Sequence, residues 1–191
     1  MTKNVDQWAT WCEIHSQPAI WRAWGAHLDV AGLRAWIAAQ SFDEVWFCGA
    51  GTSAYIGDII AAAVKCTRSI PTTDIVANPS HFLSGAKPLV VNFGRSGNST
   101  ESIGTLDALD AFAPHAPRIN ITCNKDGALA TRKSGAPTQV IVLPDATHDA
   151  GFAMTSSFST MLLTALALFD APCDLPNPVS YTHLTLPTTA I

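Results

Sequence analysis

Residues 89–102 read LVVNFGRSGNSTES, and their order of residue types identifies the architecture. An apolar run, Leu89 to Phe93, stops at Gly94 and gives way to a loop crowded with hydroxyls. A helical stretch, Ser99 to Phe112, follows. Strand, polar turn and helix make one βα unit. Working outward, the unit recurs. Val45-Trp46-Phe47-Cys48 runs into Gly49-Ala50-Gly51, and Thr52 to Val64, rich in Ala and Ile, reads as its helix. Thr73 to Ala77 predicts strand two, Ile119 to Cys123 strand four and Gln139 to Leu143 strand five. Thr155 to Phe169 predicts a closing helix. Short apolar strands are expected where both faces of a parallel sheet are covered. The alternation predicts an α/β fold, a three-layer, doubly wound, five-stranded parallel sheet in flavodoxin-like order.

Ahead of this domain lies a helical arm. Trp8, Trp11, Ile14 and His15 fall at helical spacing, and Pro18 marks a break or a new first turn. Ile20, Trp24, Leu28, Leu33, Trp36 and Ile37 continue the period. So Trp-rich an arm reads as a packing surface, and as a contact for a homodimer. The expected organisation is an arm at 1–40, an α/β domain at 41–170, and a linker and tail at 171–191. From Val179 the tail reads VSYTHLTLPTTAI, without helical period and after Pro172, Pro176 and Pro178. It resembles a translated transposase sequencing adapter. The expectation is a non-native tail, with the natural gene continuing past Pro178.

Composition narrows the function. Hydrophobic residues are 48% and charged residues 14%, which is a globular balance. The net charge is −4 and no Lys/Arg run occurs, so the footprint of a nucleic-acid binder is missing. The N-terminus lacks the apolar core of a signal peptide, and the run Met161 to Phe169 is too short to cross a bilayer. Neither nucleic acid nor membrane is an expected partner. Five cysteines, Cys12, Cys48, Cys66, Cys123 and Cys173, show no CxxC spacing. They read as reduced, which fits the cytoplasm. No Cys/His cluster has zinc spacing, so no metal or cofactor is expected.

Two loops carry the chemistry. In Gly49-Ala50-Gly51-Thr52-Ser53, glycines allow close approach to a ligand, and Thr52 and Ser53 stand where free helix N–H groups converge. In Gly94 to Ser102, four hydroxyls and Asn98 crowd around Gly97. That composition suits a nest for a dianionic phosphate at the positive end of a helix. The blander alternative is a polar turn with Ser99 or Thr100 as N-cap and Glu101 in the first turn. It explains one hydroxyl and not the cluster. The candidate phosphate ligands are Gly51, Thr52, Ser53, Arg95, Ser96, Gly97, Asn98, Ser99 and Thr100. Arg95 points to phosphate or to solvent. With strand one central, both loops fall at the topological switch point, where open α/β sheets bind ligands. A P-loop is excluded by the lack of GK[ST]; Ala54 in place of a third Gly counts against a dinucleotide fingerprint, Asn98 counts against a nucleophile elbow, and a nucleotide-binding α/β module stays as a minor alternative.

Phe47 to Ser53 together with Phe93 to Ser99 resembles the phosphosugar-binding loop pair of SIS (sugar isomerase) domains. The second loop of that family reads S-x-S-G-x-[ST]. Ser96, Gly97 and Ser99 match, and Gly94 stands in place of the first Ser. Three further segments resemble the tagatose-6-phosphate ketose/aldose isomerase and galactosamine-6-phosphate deaminase group. They are Glu13 to Pro18 (E-I-x-x-Q-P), Cys123 to Ala130 (x-N-x-x-G-x-L-A) and Phe152 to Phe158 (F-A-M-T-S-S-F). The resemblance implies a hexose or hexosamine 6-phosphate ligand. It implies aldose/ketose isomerisation or amino-sugar deamination, with a base near C1/C2 and an acid at the ring oxygen. It also implies two tandem domains with the acid/base residues largely in the second, so this chain is expected to bind without turning over. Within the chain, His81 and His148 are the catalytic candidates, His148 because Asp145 and Asp149 flank it. A phosphosugar-sensing regulatory domain without catalysis is the alternative.

Overall fold

The apolar runs become five parallel strands: β1 (Glu44–Gly49), β2 (Thr67–Ser69), β3 (Pro88–Gly94), β4 (Arg118–Thr122) and β5 (Thr138–Val142). Their order is β2-β1-β3-β4-β5, the flavodoxin-like order expected. The structure is a computed structural model and describes residues 8–170. The helices are α1 (Ala9–Gly25), α2 (Val30–Ala38), α3 (Thr52–Ala63), α4 (Thr72–Ala77), α5 (Pro79–Leu83), α6 (Thr100–Phe112), α7 (Ala128–Thr131) and α8 (Ser156–Phe169). The tail from Val179, with Cys173, lies outside the described residues.

Side chains alternate across the sheet and are buried on both faces along the central strands β1, β3 and β4, which makes three layers, while β2 and β5 at the edges are partly exposed. On one face Val45, Phe47, Val91 and Ile121 meet Ile56 and Ile60 of α3 and Met161 and Leu168 of α8. On the other, Trp46, Cys48 and Val90 meet Ile75 of α4, Leu83 of α5 and Leu109 of α6. Burial pushes the Cys48 thiol far up and the Cys123 thiol to about 11, so neither ionises at neutral pH.

Two expectations are corrected. Thr73 to Ala77 is not strand two but part of α4. Its β-branched residues favour a strand, yet Pro71 at the N-cap starts a helix that buries Ile75. The true β2 is three polar residues at the sheet edge, paired with β1. Pro18 does not break the arm but sits inside α1. It is exposed, at a position where the helix gives up one backbone donor.

The arm packs as expected, through indole N–H groups. Trp21 Nε1 donates to Ser159 Oγ at 3.1 Å and Trp24 Nε1 to Thr164 Oγ1 at 2.8 Å, tying α1 to α8. Ser159 Oγ donates in turn to Gln17 Oε1 at 2.7 Å. Trp8 and Trp11 remain 56% and 40% exposed, on the side of α1 turned away from the domain. Among the described residues, no helix is long and apolar enough to cross a membrane.

Candidate phosphate-binding cleft

β1 and β3 are neighbours, with Gly49 opposite Phe93, so their loops leave the sheet side by side. Between the loops lies a cleft of about 260 Å³. Of the nine candidate ligands, Gly51, Ser53, Arg95, Ser96 and Ser99 line it. Glu101, Ser102 and Met154 line it as well, and were not read from the sequence as site residues. Ser102 had a signal, since it lies one helical turn beyond Ser99. Met154 had one in its membership of F-A-M-T-S-S-F.

The first loop is set by a close approach. A Cβ on Gly49 would lie 2.6 Å from the backbone carbon and oxygen of Ser53. The start of α3 therefore folds directly against the end of β1, with Gly51 at its N-cap. Ser53, 4% exposed, is brought to the cleft wall, while Thr52 is exposed and outside it.

The second loop is braced by the turn after β4. Gly97 takes φ +64, which side-chain-bearing residues rarely adopt. Its carbonyl accepts from Leu129 N at 3.1 Å. Asn124 Nδ2 donates to Ser96 O at 2.9 Å. A Cβ on Gly127 would lie 2.6 Å from that same oxygen. These contacts give the x-N-x-x-G-x-L-A segment a physical role: it shapes the loop that faces the cleft. Asn98 belongs to the brace. Its Oδ1 accepts from Ala128 N at 2.7 Å, and the residue does not line the cleft.

Ser99 is the N-cap of α6, accepting from Ser102 N at 3.2 Å, as the blander reading has it. Its Oγ also shares a 3.0 Å hydrogen bond with Ser102 Oγ, and both serines still border the cleft. Thr100 is exposed and stands outside. Arg95 lines the cleft rather than pointing to open solvent, and its Nη1 reaches Asp149 O at 3.4 Å, bridging to the loop before α8. The cleft thus carries one cation, Arg95, and one carboxylate, Glu101.

The two histidines do not join them. His81 is exposed on α5, its ring edge-on to Phe82, and His148 is exposed beyond β5. Neither lines the cleft. Asp149 is not a partner for His148 either. It is buried and turned to the start of α8, where it accepts from the N–H groups of Thr155, Ser156 and Ser157 at 3.1, 2.8 and 3.0 Å. The hydroxyls of Thr155 and Ser157 donate to it too. Burial works to raise the Asp149 carboxyl, and the hydrogen bonds from Ser157, Thr155 and Ser156 outweigh it. The carboxyl is held below the usual carboxylate range. Among the described residues no three His, Cys, Asp or Glu side chains gather as metal ligands.

Known proteins resemble this chain in sequence and in fold. The D-galactosamine-6-phosphate deaminase AgaS of Escherichia coli is 41% identical over 179 residues, covering 84% of this chain and 45% of that protein. The protein of the same name from Shewanella sp. is 40% identical over 171 residues, covering 82% of this chain and 44% of its own length. The crystal structure of tagatose-6-phosphate ketose/aldose isomerase from Escherichia coli superposes with a TM-score of 0.82 at 33% identity, over 95% of this chain and 55% of that one. The chain thus spans about half the length of the relatives it matches. The SIS domain profile matches residues 41–171. On this match and these identities, the chain belongs to the SIS domain family.

Proposed function

We propose that the chain binds a hexose or hexosamine 6-phosphate, with the phosphate held between the loop after β1 and the loop after β3. The observation that carries this reading is the meeting of Ser53, Ser96 and Ser99 in one cleft at the switch point. Hydroxyls and N–H groups at the starts of α3 and α6 supply donors, and Arg95 offsets the charge of Glu101. The names of the relatives support a sugar phosphate as the ligand. The wider activity is ketose/aldose isomerisation or deamination of galactosamine 6-phosphate, to which this chain contributes phosphate binding. His81 and His148 lie away from the cleft, and the tandem-domain resemblance puts the acid and base largely in a second domain. Binding with little or no turnover is the expected behaviour of this chain.

Calorimetric titration with D-galactosamine 6-phosphate and tagatose 6-phosphate tests the reading. Ser53→Ala and Ser96→Ala are each expected to weaken binding about tenfold or more, the worth of a hydrogen bond to a charged group. Equal affinity for unphosphorylated galactosamine would refute phosphate recognition.

The reading extends to a homodimer in the cytoplasm. Trp8, Trp11 and the fully exposed Phe152 form the apolar surface available to a second copy. Sedimentation equilibrium is expected to give twice the chain mass, and Trp11→Glu to shift it toward the monomer. The buried thiols of Cys48 and Cys123 fit a reducing compartment.

A further inference from the structure

The loop between β5 and α8 puts Met154 on the cleft wall beside the residues of the hydroxyl-bearing turns, and something must hold it there. Asp149 fixes the C-terminal side of that loop to α8. Its other side is held from the arm. Glu13 of α1 accepts from Ala150 N at 2.7 Å and from Gly151 N at 2.8 Å, both on Oε1. The remaining oxygen, Oε2, is buried without a hydrogen-bond partner. The backbone carbonyl of Glu13 accepts from Ser156 Oγ at 3.2 Å, so one residue of α1 grips both the loop and the helix after it. The fit is tight: a Cβ on Gly151 would lie 2.7 Å from Glu13 Oε2 and 2.7 Å from Thr10 Oγ1.

From these contacts we infer that Glu13 is a positioning residue for the sugar end of the cleft, acting through the backbone of Ala150 and Gly151 on the placement of Met154. This rests on the phosphosugar reading above. The hydroxyl-bearing turns hold the phosphate and are braced from the β4 side by contacts that do not involve Glu13; only Arg95 reaches the loop that Glu13 holds, through its 3.4 Å contact to Asp149 O. Met154 faces whatever extends beyond the phosphate. Losing Glu13 should therefore harm recognition of the sugar far more than recognition of phosphate alone, which loses at most the long contact of Arg95.

The test compares Glu13→Ala with Glu13→Gln in the full 191-residue chain. Titration uses D-galactosamine 6-phosphate and inorganic phosphate, and the methyl resonances of Met154 and Met161 are followed by NMR. Glu13→Ala is expected to weaken the sugar phosphate about tenfold, to leave inorganic phosphate within about twofold, and to shift the Met154 methyl but not that of Met161 in the core. Those factors correspond to about 1.4 kcal/mol and a few tenths. Glu13→Gln keeps an oxygen that accepts both N–H groups, so it should restore affinity and shift. Equal weakening of both ligands would mean a merely structural role and overturn the inference. So would a Met154 methyl that stays in place. If the wild-type chain binds no sugar phosphate, the functional reading fails, and the Met154 shift alone decides whether Glu13 sets the wall. Should Glu13→Ala not fold, Gly151→Ala breaks the same contact from the other side, with the same expectations.

Discussion

Replacing Asp149 with alanine is expected to destabilise the chain by about 3 kcal/mol, roughly 6–12 °C in melting temperature for a domain of this size. Asp149 gives the first turn of α8 the acceptors its N–H groups lack within the helix. Alanine leaves three buried or half-buried donors unpaired, with two hydroxyls that lose their acceptor. An ordinary N-cap loss costs about 1 kcal/mol, so the excess measures the burial. The pH dependence follows from the lowered carboxyl. A depressed folded-state pKa adds stability that is complete above the unfolded value near 4 and fades as pH falls through the folded one. Urea denaturation should thus show wild type and Asp149→Ala differing fully at pH 7 and converging in acid. A gap that persists unchanged at the lowest workable pH would mean that the ionised carboxylate is not the source. Asp149→Asn keeps the shape but turns an amide donor toward other donors, so it should recover only part of the loss.

The buried layers of this fold were legible because their signal is local. β1 and β3 are built on short apolar runs, Val45 to Cys48 and Leu89 to Val91, as doubly covered parallel strands tend to be, and β4 still shows through Ile119 and Ile121 although Arg118, Asn120 and Thr122 alternate with them. β2 was missed for the complementary reason. At the edge of the sheet it needs no apolar run, and Thr67-Arg68-Ser69 has none. The β-branched residues of α4 then attracted the assignment, where packing of Ile75 overrode propensity. The cleft was legible in part by the same logic. Glycines and hydroxyls at two strand ends announce a loop pair, but not which side chains turn inward. Asn98 looks like a ligand in the sequence because the Ala128 N–H it serves is thirty residues away. His148 looks like a base beside two carboxylates because the sequence does not show that Asp149 faces α8. Glu13 and Met154 are far apart in the chain, and only the packing of α1 on α8 relates them.

The second large effect lies at the opposite end of the sheet and should leave the cleft untouched. Arg118 opens β4 and is 1% exposed. Its Nη1 donates to Asp110 Oδ1 at 2.6 Å, while Nε and Nη2 are buried without hydrogen-bond partners. Arg132 holds the other Asp110 oxygen at 2.9 Å and Asp107 at 2.6 Å. Burial works to raise the Asp110 carboxyl, and the hydrogen bond and charge of Arg118, then those of Arg132, bring it below its ordinary range. Removing one member of a buried pair costs about 3–5 kcal/mol, because the other charge stays in a dry place. Asp110 is about a third exposed, so Asp110→Ala belongs at the lower end, about 3 kcal/mol. Its stability term is also present above the unfolded carboxyl value and lost in acid. The penalty, on this account, is chiefly the stranded guanidinium rather than the missing attraction. Adding Arg118→Met to Asp110→Ala removes that charge and fills its space with apolar volume. The double variant is therefore expected to be more stable than Asp110→Ala alone by about 1–2 kcal/mol in urea denaturation, with sugar-phosphate affinity unchanged in both. A double variant less stable than the single one would show that the arginine stem and its packing, not its charge, hold the base of β4.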